Sequence, residues 1–212
     1  MNQTETQDLT EAYRKFEAGD HADGLQQLRD LSSRLDDPWD KAALLCHEAL
    51  FLVEMSQIPE ARQRLEAFKK ALASLGEPPP DGDQDDLPHN LQVMVRYTEL
   101  RVLIEERKQP QALEVLEDLI SRYPKQLSIP DFRAISEEIE THHGFLLADA
   151  DRWEEARPFL EEASSRELWK GVVCYYVGHC HYVFREYMSA RDRLVELLNL
   201  GIEGRWESKA RY

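Results

Sequence analysis

Apolar residues recur along most of this chain at intervals of three and four, the spacing that aligns them on one face of an α-helix. Val173, Val177, Cys180 and Phe184 form one such row. After the polar pair Arg185-Glu186, Tyr187, Ala190, Leu194 and Leu197 form the next. The segment GFLLADADRWEEARPFLEEA from Gly144 has the same layout as GHCHYVFREYMSARDRLVEL from Gly178. One interval of 34 residues (178 − 144) separates the two glycines, Trp153 from Tyr187, and Ala156 from Ala190. A fixed period in this range signals stacked repeats, each a pair of helices. A glycine inside a helix costs roughly 1 kcal/mol relative to alanine. Gly144 and Gly178 at equivalent places therefore point to close helix approach, and Ala156 and Ala190 take the same part on the return helices.

Carried backwards, the period predicts five units. The first has Leu9, Ala12, Tyr13 and Phe16, the turn EAGDHADG, then Leu25, Leu28 and Leu31, with Gly24 at the alanine place. Asp37-Pro38 opens the second, which runs through Ala42, Leu45, Ala49 and Leu52, the turn MSQIPE, then Ala61, Leu65 and Phe68. Residues 76–89, GEPPPDGDQDDLPH, hold four prolines and five acidic residues and read as an inserted charged loop. The third unit pairs Met94, Tyr97, Leu100 and Ile104 with Ala112, Leu116 and Leu119, and Pro124 stops it. Pro130 precedes a long helix through Phe132, Ile135 and Ile139 that leads into the two clearest units. After Gly201, Trp206 and Ala210 stand one turn apart, which predicts a short C-terminal capping helix.

A small residue, an aromatic just after the turn and an alanine three residues later resemble the tetratricopeptide repeat. The early tryptophan site of that family holds Glu140 and Cys174 here. The resemblance implies one all-α domain over residues 1–212, a right-handed superhelical solenoid of about five helix pairs plus the cap. It also implies that first helices line a concave groove that binds a peptide or a helix of another protein. On that alignment the groove carries Tyr13, Leu50, Met94, Tyr97, Arg101, Phe145, Tyr175, His179 and Tyr182. Leu9, Phe16, Val53, Ile104 and Val172 share the wall, with Phe16 and Val172 expected to fill the core. The polar tips of Tyr97, Tyr175, His179 and Tyr182 suit a half-wet surface. A clamp for a chaperone's C-terminal carboxylate would need Lys, Asn and Arg there, and only Arg101 has that chemistry.

Composition narrows the partners. A net charge of −15 disfavours nucleic acid and anionic membranes, whose phosphates require concentrated Lys and Arg. No apolar run approaches the ~20 residues of a membrane span. The polar N-terminus lacks a leader pattern, and three cysteines do not make a disulfide framework, so the cytoplasm is the expected compartment. The expected partner is a protein or peptide, with no nucleic acid and no membrane. A homodimer through the C-terminal end is the second arrangement, and an ancillary subunit of an enzyme complex the alternative function.

No catalytic or metal-binding motif stands out. Asp81, Asp83 and Asp85 alternate like the start of a calcium loop, but Asp86 and Gln92 occupy the places that need glycine and glutamate. His179 and His181 point to different sides of their helix, as do His142 and His143, and no HExxH or CxxC spacing occurs. Cys174 and Cys180 read as small apolar packing residues. There is no GxSxG, P-loop or glycine-rich fingerprint. The sequence therefore predicts a non-enzyme without metal or other cofactor.

Overall fold

The computed structural model describes residues 3–76, 87–165 and 170–200, and all secondary structure among them is helical. The helices are α1 (Gln3–Glu17), α2 (His21–Arg34), α3 (Pro38–Glu54), α4 (Ile58–Leu75), α5 (Leu87–Glu105) and α6 (Gln109–Arg122). A short α7 (Pro124–Leu127) and a 3₁₀ turn (Pro130–Phe132) precede α8 (Arg133–Asp149), α9 (Trp153–Ala163), α10 (Lys170–Val183) and α11 (Tyr187–Asn199). The expected capping helix around Trp206 and residues 77–86 of the acidic insertion lie outside the described residues. Leu87–His89, assigned to that insertion by composition, belong instead to the first turn of α5. Pro88 fits there because the first turn of a helix has no intrahelical use for its N–H.

Five helix pairs pack as hairpins, α1/α2, α3/α4, α5/α6, α8/α9 and α10/α11, and one turn is used five times. Its central residue, Gly19, Ser56, Arg107, Asp151 or Arg185, has a positive φ between 56° and 91°. The following N–H donates to the carbonyl five residues back, as Asp20 does to Lys15 (2.9 Å) and Glu186 to His181 (2.8 Å). The central N–H donates three residues back, as Gly19 does to Phe16 (3.0 Å) and Arg185 to Tyr182 (3.0 Å). This is the Schellman closure, which satisfies carbonyls that a helix end leaves open. Only the first turn uses glycine, so the other four hold an L side chain where the left-handed conformation costs roughly 1–2 kcal/mol.

Five residues past each turn centre stand Gly24, Ala61, Ala112, Ala156 and Ala190, all buried. Seven before it stand Ala12, Ala49, Leu100, Gly144 and Gly178, also buried. These are the helix crossings anticipated from the period. A Cβ on Gly24 would lie 2.8 Å from the Ala12 carbonyl oxygen, and one on Gly144 would lie 3.0 Å from Phe159 Cβ.

The chain divides into two compact units, Met1–Ile129 and Pro130–Tyr212. In the first, Leu28, Leu31, Leu44, Leu52, Leu65, Phe68, Leu100, Leu116 and Leu119 are fully buried. Each such side chain stabilises the fold by about 1.5–3 kcal/mol. Asp37 starts α3 by accepting from the N–H groups of Trp39 and Asp40, both at 2.9 Å, and Pro38 follows it. Glu48 on α3 is buried between Arg64 of α4 (3.1 Å) and Arg29 of α2 (3.6 Å). Desolvation pushes its carboxyl above the usual range despite those arginines. In the second unit the fully buried side chains are Ile139, Leu147 and Leu160. Cys174 and Cys180 are free and buried there, as their apolar reading requires.

Candidate functional site

Tyr13, Leu50, Arg101, Phe145 and His179 hold one repeat position, six residues before the turn centre, yet their surroundings differ. In the first unit, Tyr13 meets His47 Nδ1 through its hydroxyl (2.5 Å) and stands edge-on to Phe51 (5.0 Å). Burial pushes the Tyr13 phenol up and pulls the His47 imidazole down to about 4, so both are neutral. Phe16 stacks on Phe51 (3.9 Å) as part of the same cluster. Leu50 and Met94 are half-buried against the core.

Tyr97 departs from the half-wet wall expected of it. Its ring is only 4% exposed, and its hydroxyl accepts from Arg101 Nη1 at 3.1 Å. Arg101 also donates through Nη2 to Glu54 of α3 at 2.5 Å. A phenol alone does not decide between wall and core. Here the neighbouring guanidinium donates to the hydroxyl oxygen, so the ring can be buried with that acceptor met. Tyr97 and Arg101 thus work as a strut between α5 and α3.

The second unit carries a different arrangement. Phe145 is buried and stacks on Tyr176 (4.6 Å), whose hydroxyl donates to Asp149 (2.8 Å). Tyr175, His179 and Tyr182 follow one another along a face of α10, with centroid separations of 6.0 and 6.1 Å. Tyr175 and His179 are half-buried and Tyr182 is 59% exposed. Burial, with the Asp149 carboxylate, pushes the Tyr175 phenol up, so it stays a neutral donor.

Two further aromatics complete this row. Trp153, first residue of α9, stacks on His179 at 4.8 Å and 26°, and its Nε1–H donates to Asp151 (3.0 Å). Tyr187, first residue of α11, stands 5.9 Å from Tyr182 and is 59% exposed. The sequence marked both only as repeat landmarks. The place of Tyr187 just after its turn sets it beside the end of α10, whereas Trp153 reaches the row because α10 packs on α9. His181 points elsewhere, to Glu186 Oε2 at 2.5 Å, as its two-residue offset from His179 requires. Hydrogen bonds from His181 and Arg157 hold the Glu186 carboxyl below the usual range. Among the described residues no three His, Cys, Asp or Glu side chains converge on a point that could hold a metal ion. Among them, too, no helix is long and apolar enough to cross a membrane.

Five hairpins joined by one turn type and crossed on small residues define a tetratricopeptide-like helical repeat fold. Solved structures bear this out. The chain is similar to a Podosopora anserina putative kinesin light chain with nearly identical TPR-like repeats, at TM-score 0.60 and 13% identity, over 92% of this chain and 94% of that one. It is also similar to MamA (41-end) from Desulfovibrio magneticus RS-1, at TM-score 0.56 and 14% identity, over 95% and 97%. A third likeness is to MamA AMB-1, at TM-score 0.53 and 15% identity, over 92% and 98%. No protein-family model matches the sequence, and no curated protein matches it.

Proposed function

We propose that this chain is a non-catalytic protein-interaction scaffold that holds an extended peptide, or one face of a helix, from another protein. The observation that carries the reading is the aromatic row Trp153, Tyr175, His179 and Tyr182 on the second unit. Aromatic side chains give large contact area for few rotatable bonds, and such residues dominate the energetics of protein interfaces. The Trp153–His179 stack fixes two of these rings before any ligand arrives, which reduces the ordering cost of binding. Exposed Asp149 and Asp151 flank the row, so aromatic faces and carboxylates lie together. That combination favours a peptide bearing Lys or Arg.

A displayed peptide library selected on the full chain tests this. Selected peptides should be enriched in Lys or Arg beside an apolar residue. Tyr175→Ala combined with His179→Ala should weaken them by roughly thirtyfold, the effect of losing a central hot spot, while circular dichroism stays native. Equal binding by wild type and variant would place the binding surface elsewhere. Unfolding of the variant would make these rings core residues.

A further inference from the structure

All the large hydrophobic side chains that stand exposed among the described residues lie between Tyr182 and Leu200. Met188 is 64% exposed, Tyr187 59% and Val195 45%. An open groove of about 350 Å³ runs along α11, lined by Tyr182, Tyr187, Arg191, Leu194, Val195 and Leu198. Within the first unit, α3 packs on α2, and α5 packs on both α3 and α4. Within the second, α10 packs on α8 and α9. The groove along α11 is the place where the next helix of such a stack would lie.

We infer that a second copy of this chain occupies the groove, with the two α11 helices antiparallel about a two-fold axis. The sequence of α11 is self-complementary in that arrangement. Arg191 and Asp192 are adjacent, 62% and 66% exposed, and among the described residues are paired with each other in the intrachain ion pair at 2.8 Å. Neighbours at i, i+1 do not face one another on a helix, and exposed pairs contribute little, so both can exchange partners. If the axis passes between them, Arg191 of each copy faces Asp192 of the other, giving two equivalent ion pairs as a two-fold contact requires. The same register sets Met188 opposite Val195 and Tyr187 opposite Glu196 of the second copy, and puts no like charges face to face. Met188, the most exposed of the apolar set, is a flexible side chain suited to filling the facing groove. The two ion pairs then lie at the centre of the contact, with the apolar residues flanking them on either side. This contact does not depend on peptide binding at the aromatic row.

Sedimentation velocity on the full chain at micromolar concentrations tests the inference. Wild type should dimerise. Arg191→Asp and Asp192→Arg should each weaken the dimer about tenfold or more by setting like charges opposite, and Val195→Glu about thirtyfold or more. The double exchange Arg191→Asp with Asp192→Arg should restore dimers, and a mixture of the two single variants should form heterodimers. Met188→Cys with Val195→Cys should give a disulfide-linked dimer on oxidation, since the native cysteines are buried. A chain that stays monomeric overturns the inference, and means that residues 201–212 or a different partner cover the groove. A dimer indifferent to these exchanges, or one that fails to cross-link, overturns it equally.

Discussion

His47 brings a pH dependence into the first unit. Its ordinary value near 6.5 falls to about 4 in the folded chain because burial disfavours the imidazolium. The unfolded state therefore binds the proton more readily, and stability falls as pH drops from about 6.5 towards 4. Between about pH 7 and about pH 5 the loss should be on the order of 2 kcal/mol. Tyr13 reinforces the neutral form, because its hydroxyl can donate to Nδ1 only while that nitrogen lacks a proton. Glu48 acts in the opposite sense, since its raised value favours the folded state as the carboxyl takes up a proton at lower pH. The histidine resonances followed by NMR, with urea midpoints at the two pH values, check this. A His47 that titrates near 6.5 would show that water reaches the ring.

At the scale of the element, the hairpin crossing is the part least tolerant of added volume. Gly24→Ala gains roughly 1 kcal/mol in helix propensity. Its new methyl would meet a backbone oxygen at 2.8 Å, and a backbone oxygen cannot rotate away. We expect a net loss of about 1–3 kcal/mol, the usual range for overpacking. Gly178→Ala is the control. Its Cβ would meet Leu194 Cδ2 and Cγ at 3.0 Å, and that half-buried side chain can change rotamer. A near-neutral effect is expected there, within about 1 kcal/mol. Equal urea midpoints for the two variants would mean that the α1/α2 crossing relaxes as easily as the α10/α11 crossing.

For the whole molecule, the relevant physics is that a repeat stack is held by nearest-neighbour contacts. Residues 1–129 contain three complete hairpins with their own buried leucines and the Glu48–Arg29–Arg64 group. Expressed alone, they should keep a helical circular dichroism spectrum and unfold cooperatively in urea. A fragment without helicity would show that the first unit depends on contacts beyond Ile129.

The five hairpins are legible in the sequence because their signals are local. Apolar spacing of three and four builds each helix, and small residues at a constant interval mark where two helices cross. The turn conformation was hidden, since Ser56, Arg107, Asp151 and Arg185 carry no glycine signal and are held left-handed by the closing hydrogen bonds around them. The site was only partly legible. Tyr97 and Tyr175 hold the same repeat position, ten residues before the turn centre, and the sequence assigned them one role. The structure buries Tyr97 beside Arg101 and leaves Tyr175 half-open beside His179. Trp153 and Tyr187 gained significance only when helix packing set them against α10. Periodicity determines which face of a helix a side chain occupies, whereas its exposure is decided by what the adjoining helices place against that face.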